Sequence, residues 1–70
     1  MSAERHRALE ILAGSSLGCT EATLMAHGFT TNLLVDLVHE GLATATHAGK
    51  RPIDVVRVRI TDAGRLALAG

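Results

Sequence analysis

Tryptophan and tyrosine are missing from this chain, and Phe29 is its one phenylalanine. Platforms that stack single-stranded bases need several aromatic faces, so the composition argues against that mode of nucleic-acid binding. A lone cysteine, Cys19, leaves no partner for an internal disulfide. No apolar run approaches the roughly 18 residues of a membrane span. No charged-then-apolar leader precedes a cleavage site, so the expectation is a cytoplasmic protein. Glycine-rich phosphate-binding motifs are absent too, because the glycines sit singly at the ends of expected elements. Repeats, linkers and low-complexity segments are also lacking.

Charge of one sign is not in excess: the formal net charge is zero. That argues against strong attraction of the whole molecule to nucleic acid. The distribution is less even than the sum. Residues 30–48 carry Asp36 and Glu40 and no Lys or Arg. Residues 50–59 carry Lys50, Arg51, Arg57 and Arg59 against Asp54. An acidic stretch is thus followed directly by a basic one.

Seventy residues suffice for one domain, 1–70, with no room for a second. About twenty of them are Leu, Ile, Val, Met or Phe, each contributing roughly 1.5–3 kcal/mol if fully buried. That supports one small core.

The pattern along the chain predicts the elements. AERHRALEILAG reads as a first helix with Ala8, Leu9 and Leu12 on one face and Ile11 at its edge. Ser2 is placed to cap it, Glu4 suits its first turn, and Gly14 suits its end. SSLGC is a connector with room for a minimal strand around Leu17. Thr20 caps a second helix, in which Leu24 and Met25 are expected to point inward, and Gly28 closes it. Phe29 is expected to plug the angle between helices 2 and 3. Thr30 caps the third helix, running to about Glu40. Leu33, Leu34, Leu37 and Val38 fall within its inward arc, opposite Thr31, Asn32, Val35, Asp36 and His39.

Gly41 ends that helix and Leu42 drops toward the core. LATATH predicts a strand, AGKRP a turn built on Gly49 and Pro52, and IDVVRVRI a second strand. Val56, Val58 and Ile60 share one face of that strand, Arg57 and Arg59 the other. Thr61 caps a short last helix, DAGRLALA, whose Ala63, Leu66 and Ala67 share one side while Leu68 falls off it.

From Thr20 onward this arrangement resembles the winged helix-turn-helix domain of MarR-type bacterial regulators. The resemblance is carried by Thr20 and Leu24 in helix 2, by Leu37, Gly41 and Leu42 at the end of helix 3, by the hairpin, and by Ile60-Thr61-Asp62-Ala63-Gly64-Arg65. A similar Thr-Asp-x-Gly-Arg run in that family leads from the wing into a helix. The interval from Thr20 to Gly41 is shorter than in typical members by about a turn of helix. The long terminal helices through which those regulators dimerise have no counterpart here, so self-association is expected to be weak. The resemblance implies an α+β, mainly α fold: a three-helix unit, a β-hairpin wing and a short C-terminal helix. It implies a small transcriptional regulator that binds double-stranded DNA through helix 3 and a basic wing.

The residues themselves allow such contacts. Asn32 can pair with adenine, Val35 can touch a thymine methyl, and Asp36 can accept from a cytosine amino group. Thr30 and Thr31 can bond phosphates at a helix N-terminus, which favours an anion. Lys50, Arg51, Arg57 and Arg59 supply the positive charge, and Arg5 and Arg7 of helix 1 are further phosphate candidates. The same residues also have plain structural uses, as helix starters, a solvated turn and a charged hairpin face. The alternative reading is a winged helix that docks a protein partner without binding DNA.

Catalysis and metal binding find little footing. Cys19, His27, His39 and His47 are each separated by at least seven residues, whereas zinc modules pair ligands a few residues apart. Cys19 reads as a small packed residue beside a helix start. No base and orienting group are placed around it for nucleophilic chemistry. The expectation is a protein without cofactor, metal or enzymatic activity.

Overall fold

The computed structural model describes residues 2–47 and 56–70. Helix α1 spans Ala3–Ala13, with Ala8, Leu9 and Leu12 fully buried as their spacing predicts. Ser2 is extended and its hydroxyl accepts from the Arg5 N–H at 3.2 Å, satisfying one of the free donors of the first turn. Gly14 closes the helix in a right-handed conformation.

Strand β1 is Cys19–Thr20, two residues beyond the expected Leu17. The reason is a turn at 15–18. The Gly18 N–H donates to the Ser15 carbonyl, the Ser15 hydroxyl donates to the Gly18 carbonyl, and Gly18 takes a φ of 83°. Pairing can begin only after that turn, and Leu17 is left 72% exposed.

Helix α2, Glu21–Ala26, is capped by Thr20, whose hydroxyl accepts from the Thr23 N–H. Leu24 is fully buried, but Met25 is 47% exposed, contrary to the expected inward pair. Adjacent residues on a helix point about 100° apart, and this short helix buries one row only. Gly28 follows with a φ of 95°, and the Phe29 N–H returns to the Leu24 carbonyl. Phe29 is buried in the core.

Helix α3, Thr31–His39, is capped by Thr30 and buries Leu33, Leu34 and Leu37. Val38 is the second correction: it is 38% exposed and lies at the border of the inward arc. Beyond α3, Gly41 turns the chain with a φ of 76°, and Leu42 packs partly against the core.

Strands β2 (Ala43–His47) and β3 (Val56–Ile60) pair antiparallel, with Ala45 opposite Val58 and Ala43 opposite Ile60. Strand β1 joins the other edge of β3, giving the order β1-β3-β2. The predicted turn at Gly49 and Pro52, and the first part of the predicted strand, Ile53 to Val55, lie outside the described residues.

Helix α4, Asp62–Ala69, starts at Thr61, whose hydroxyl accepts from the Gly64 N–H and donates to the Gly41 carbonyl at 2.6 Å. Its inward side is the expected one only in part. Ala67 packs against the core as expected, but Leu68 packs there too, Gly64 is buried, and Ala63 and Leu66 are exposed, Leu66 at 73%. A side chain at Gly64 would collide with the Leu42 carbonyl and the Ile60 side chain, so the bare backbone of Gly64 sets which side of α4 faces in. The whole is an α+β fold, mainly helical, with a small three-stranded antiparallel sheet. Among the described residues, no helix is long and apolar enough to cross a membrane.

Candidate functional site

Helix α3 is held at both ends and along one side. Thr30 fixes its start, Leu33, Leu34 and Leu37 anchor its inner face, and the left-handed Gly41 ends it. The opposite side is free. Thr31, Asn32, Val35, Asp36 and His39 are all exposed, and residues three and four apart form a continuous strip there. Thr30 is exposed as well, although its hydroxyl oxygen already accepts from the Leu33 N–H. Four of the sequence-predicted contact residues, Thr30, Thr31, Asn32 and Val35, are therefore brought together.

Arg57 and Arg59 are not brought to that strip. Val56 and Val58, which alternate with them on β3, face α3. The two arginines consequently leave the other face of the sheet. Their guanidinium groups donate toward the connector before β1: Arg57 to the Gly18 carbonyl at 3.5 Å and Arg59 to the Ser16 carbonyl at 3.2 Å. Lys50 and Arg51 lie outside the described residues. The helix 1 cations also have local partners. Arg5 pairs with Glu40, tying α1 to the end of α3, and the Arg7 guanidinium sits 5.5 Å from the centre of the Phe29 ring. Among the described residues, charge near α3 thus comes from Asp36, Glu21 and the Arg5–Glu40 pair.

Beside the exposed strip lies a feature that the sequence reading missed. A groove of about 210 Å³ runs between α3 and the sheet. Leu34 and Val58 form its buried floor, and Val35, Val38, Ala45 and Val56 form its walls. Glu21, Thr31 and His39 are its polar lining. The volume exceeds the roughly 150 Å³ that accepts a benzene-sized group. One signal was available: Val35 and Val38, three apart, extend the apolar arc of α3 beyond what its leucines need to reach the core.

Cys19 is half-buried on β1, His27 ends α2, His39 ends α3 and His47 ends β2. Among the described residues, no three or more His, Cys, Asp or Glu side chains gather in a way that could hold a metal ion. Comparison with known proteins adds no relative: no family model, curated protein or solved structure matches the chain.

Proposed function

We propose that this protein is a winged helix-turn-helix domain that binds duplex DNA and acts in transcriptional regulation rather than catalysis. The element order, helix-strand-helix-helix-strand-strand-helix, supports the fold assignment, as does a sheet in which the last strand lies between the other two. The observation that carries the function is the presentation of α3. It follows α2 across a tight turn at Gly28, is capped and anchored from within, and offers Thr31, Asn32 and Val35 outward. Short polar and apolar side chains on such a helix read base edges in a major groove. Thr30 and Thr31 then lie at a helix start suited to a phosphate.

Asp36 opposes the phosphates while Glu40 is paired with Arg5, so binding is weak and strongly dependent on salt, with the positive charge of Lys50, Arg51, Arg57 and Arg59 supplying most of the attraction. Because Arg57 and Arg59 leave the far face of the sheet, they act on phosphates flanking the site. An NMR titration with a short mixed-sequence duplex, at low and moderate salt, tests the reading. Shifts concentrated at Thr30 to Val35 that fade with salt support it. No shifts even at low salt would end it.

One observation favours a second reading, in which the fold docks a protein instead. The groove beside α3 is apolar and open, and among the described residues that line it Glu21 is the one Asp, Glu, Lys or Arg. Exposed apolar surface of this kind marks interaction sites.

A further inference from the structure

We infer that the far face of the sheet binds the phosphate backbone of a duplex, with two Arg–Thr pairs, Arg57 with Thr46 and Arg59 with Thr44, taking two consecutive phosphates of one strand. The inference rests on duplex DNA as the ligand and adds a site apart from the exposed strip of α3.

Alternation along the strands makes the face. Ala45, Val56 and Val58 line the groove beside α3, so Thr44, Thr46, Arg57 and Arg59 project from the opposite side. Thr46 lies directly across from Arg57, and Thr44 directly across from Arg59. One Arg–Thr pair is thus repeated along the sheet. Thr44, Thr46 and Arg59 are exposed and Arg57 is half-buried.

Each pair offers what a phosphate needs. A guanidinium brings a full charge and five N–H donors. Arg57 gives one of them to the Gly18 carbonyl and Arg59 gives one to the Ser16 carbonyl, which steadies both heads toward the β1 side. The threonine hydroxyls stand on β2, so a phosphate lying over β3 is reached from both sides. Arginine and threonine side chains both serve as phosphate contacts on DNA. Thr20, which lies across from Arg57 on β1, differs from this pair because its hydroxyl is engaged in capping α2.

Spacing selects the ligand. Alternate residues of an antiparallel strand stand about 6.8 Å apart. Consecutive phosphates of one B-DNA strand rise about 3.4 Å and also step around the axis, which leaves them about 7 Å apart. Carboxylates of a protein partner sit on separate flexible side chains and lack that fixed interval. The composition, with one aromatic ring, disfavours a single strand.

An NMR titration of the whole chain with a short duplex reads the face directly. The amides of Thr44, Thr46, Arg57 and Arg59 and the two arginine Nε–H signals should move. Thr44→Val combined with Thr46→Val keeps strand preference and charge and removes two hydroxyls. It should weaken duplex binding about tenfold. Its salt slope should stay unchanged, whereas Arg59→Ala should flatten the slope by about one unit. That split separates phosphate contacts from a general loss of structure, and thermal melts confirm that both proteins fold. Oligoglutamate and phosphatidylserine vesicles, at matched charge, should move the sheet signals far less than the duplex does.

Shifts confined to α3 would overturn the inference and leave the α3 reading standing, and shifts confined to the sheet face would do the reverse. No shift at either surface ends both. Undiminished binding in the threonine double variant would overturn the inference, as would a peptide or vesicle that matches the duplex.

Discussion

Replacing Gly64 with alanine sets two effects of opposite sign against each other. In an exposed helix interior the change would stabilise by about 1 kcal/mol, because alanine loses less backbone freedom on folding. Here the new Cβ would fall on the Leu42 carbonyl oxygen and the Ile60 side chain. Ile60 has rotamers to try, but the carbonyl belongs to the turn that Gly41 and the Thr61 hydroxyl hold in place. Helix α4 must therefore back away, loosening Ala67 and Leu68 from the core. Overpacking of this kind costs about 1–3 kcal/mol, and backbone against backbone belongs at the upper end. The net expectation is a loss of about 2 kcal/mol, or a melting temperature lower by roughly 8–16 °C for a domain of this size.

Gly14→Ala is the matched control. Its φ is −75° and its added Cβ would meet only the Glu10 and Ile11 carbonyls at an ordinary 3.6 Å. It should be neutral or stabilising by up to about 1 kcal/mol. Far-UV circular dichroism melts and urea titrations of the three proteins measure both. A Gly64→Ala protein as stable as wild type would refute the close approach. It would also remove the reason given for the outward direction of Leu66.

Arg57 and Arg59 replaced together by Ala should weaken binding to all duplex sequences alike and flatten the salt slope by about one unit per lost phosphate contact, read by fluorescence anisotropy across a salt series. Unchanged binding and slope would remove those arginines from the interface. On α3, Asn32→Ala should change the preference at one base position by about 1–3 kcal/mol, and Asp36→Asn should strengthen non-specific binding by removing a repelling charge. A competition assay with single-base variants checks both, and an Asp36→Asn protein that binds no better would show that this carboxylate faces away from the phosphates. Cys19→Ser should leave fold and association nearly unchanged, by melting and sedimentation. Stoichiometric zinc in protein purified without added metal, lost in that variant, would give Cys19 a ligand's role instead.

Much of the local structure was legible before any tertiary contact was known. Ser2, Thr20, Thr30 and Thr61 each cap the helix predicted for them, since a cap is a hydrogen bond between residues three apart. The alternation of Val56, Val58 and Ile60 with Arg57 and Arg59 marked a strand with two unlike faces, and it pairs as one. The exposed strip of α3 could be drawn from helix periodicity alone, because three leucines require the opposite side to face water.

What periodicity could not decide was which surfaces meet. Met25 and Val38 are as apolar as their buried neighbours, yet one short helix has only so much inward arc, and the core claimed Leu24 and Leu37 instead. The direction of Arg57 and Arg59 was readable, but their partners were not. The Gly18 and Ser16 carbonyls lie some forty residues away in the chain, and only the pairing of β1 with β3 brings them close. The groove beside α3 likewise needs a helix and a sheet from separate segments before it has walls. Gly64 shows the difference most directly. Counting apolar residues on α4 favoured Leu66 as the inward side chain, because a glycine adds nothing to such a count. The folded chain reverses that choice, since the helix can approach Leu42 and Ile60 only where there is no side chain at all.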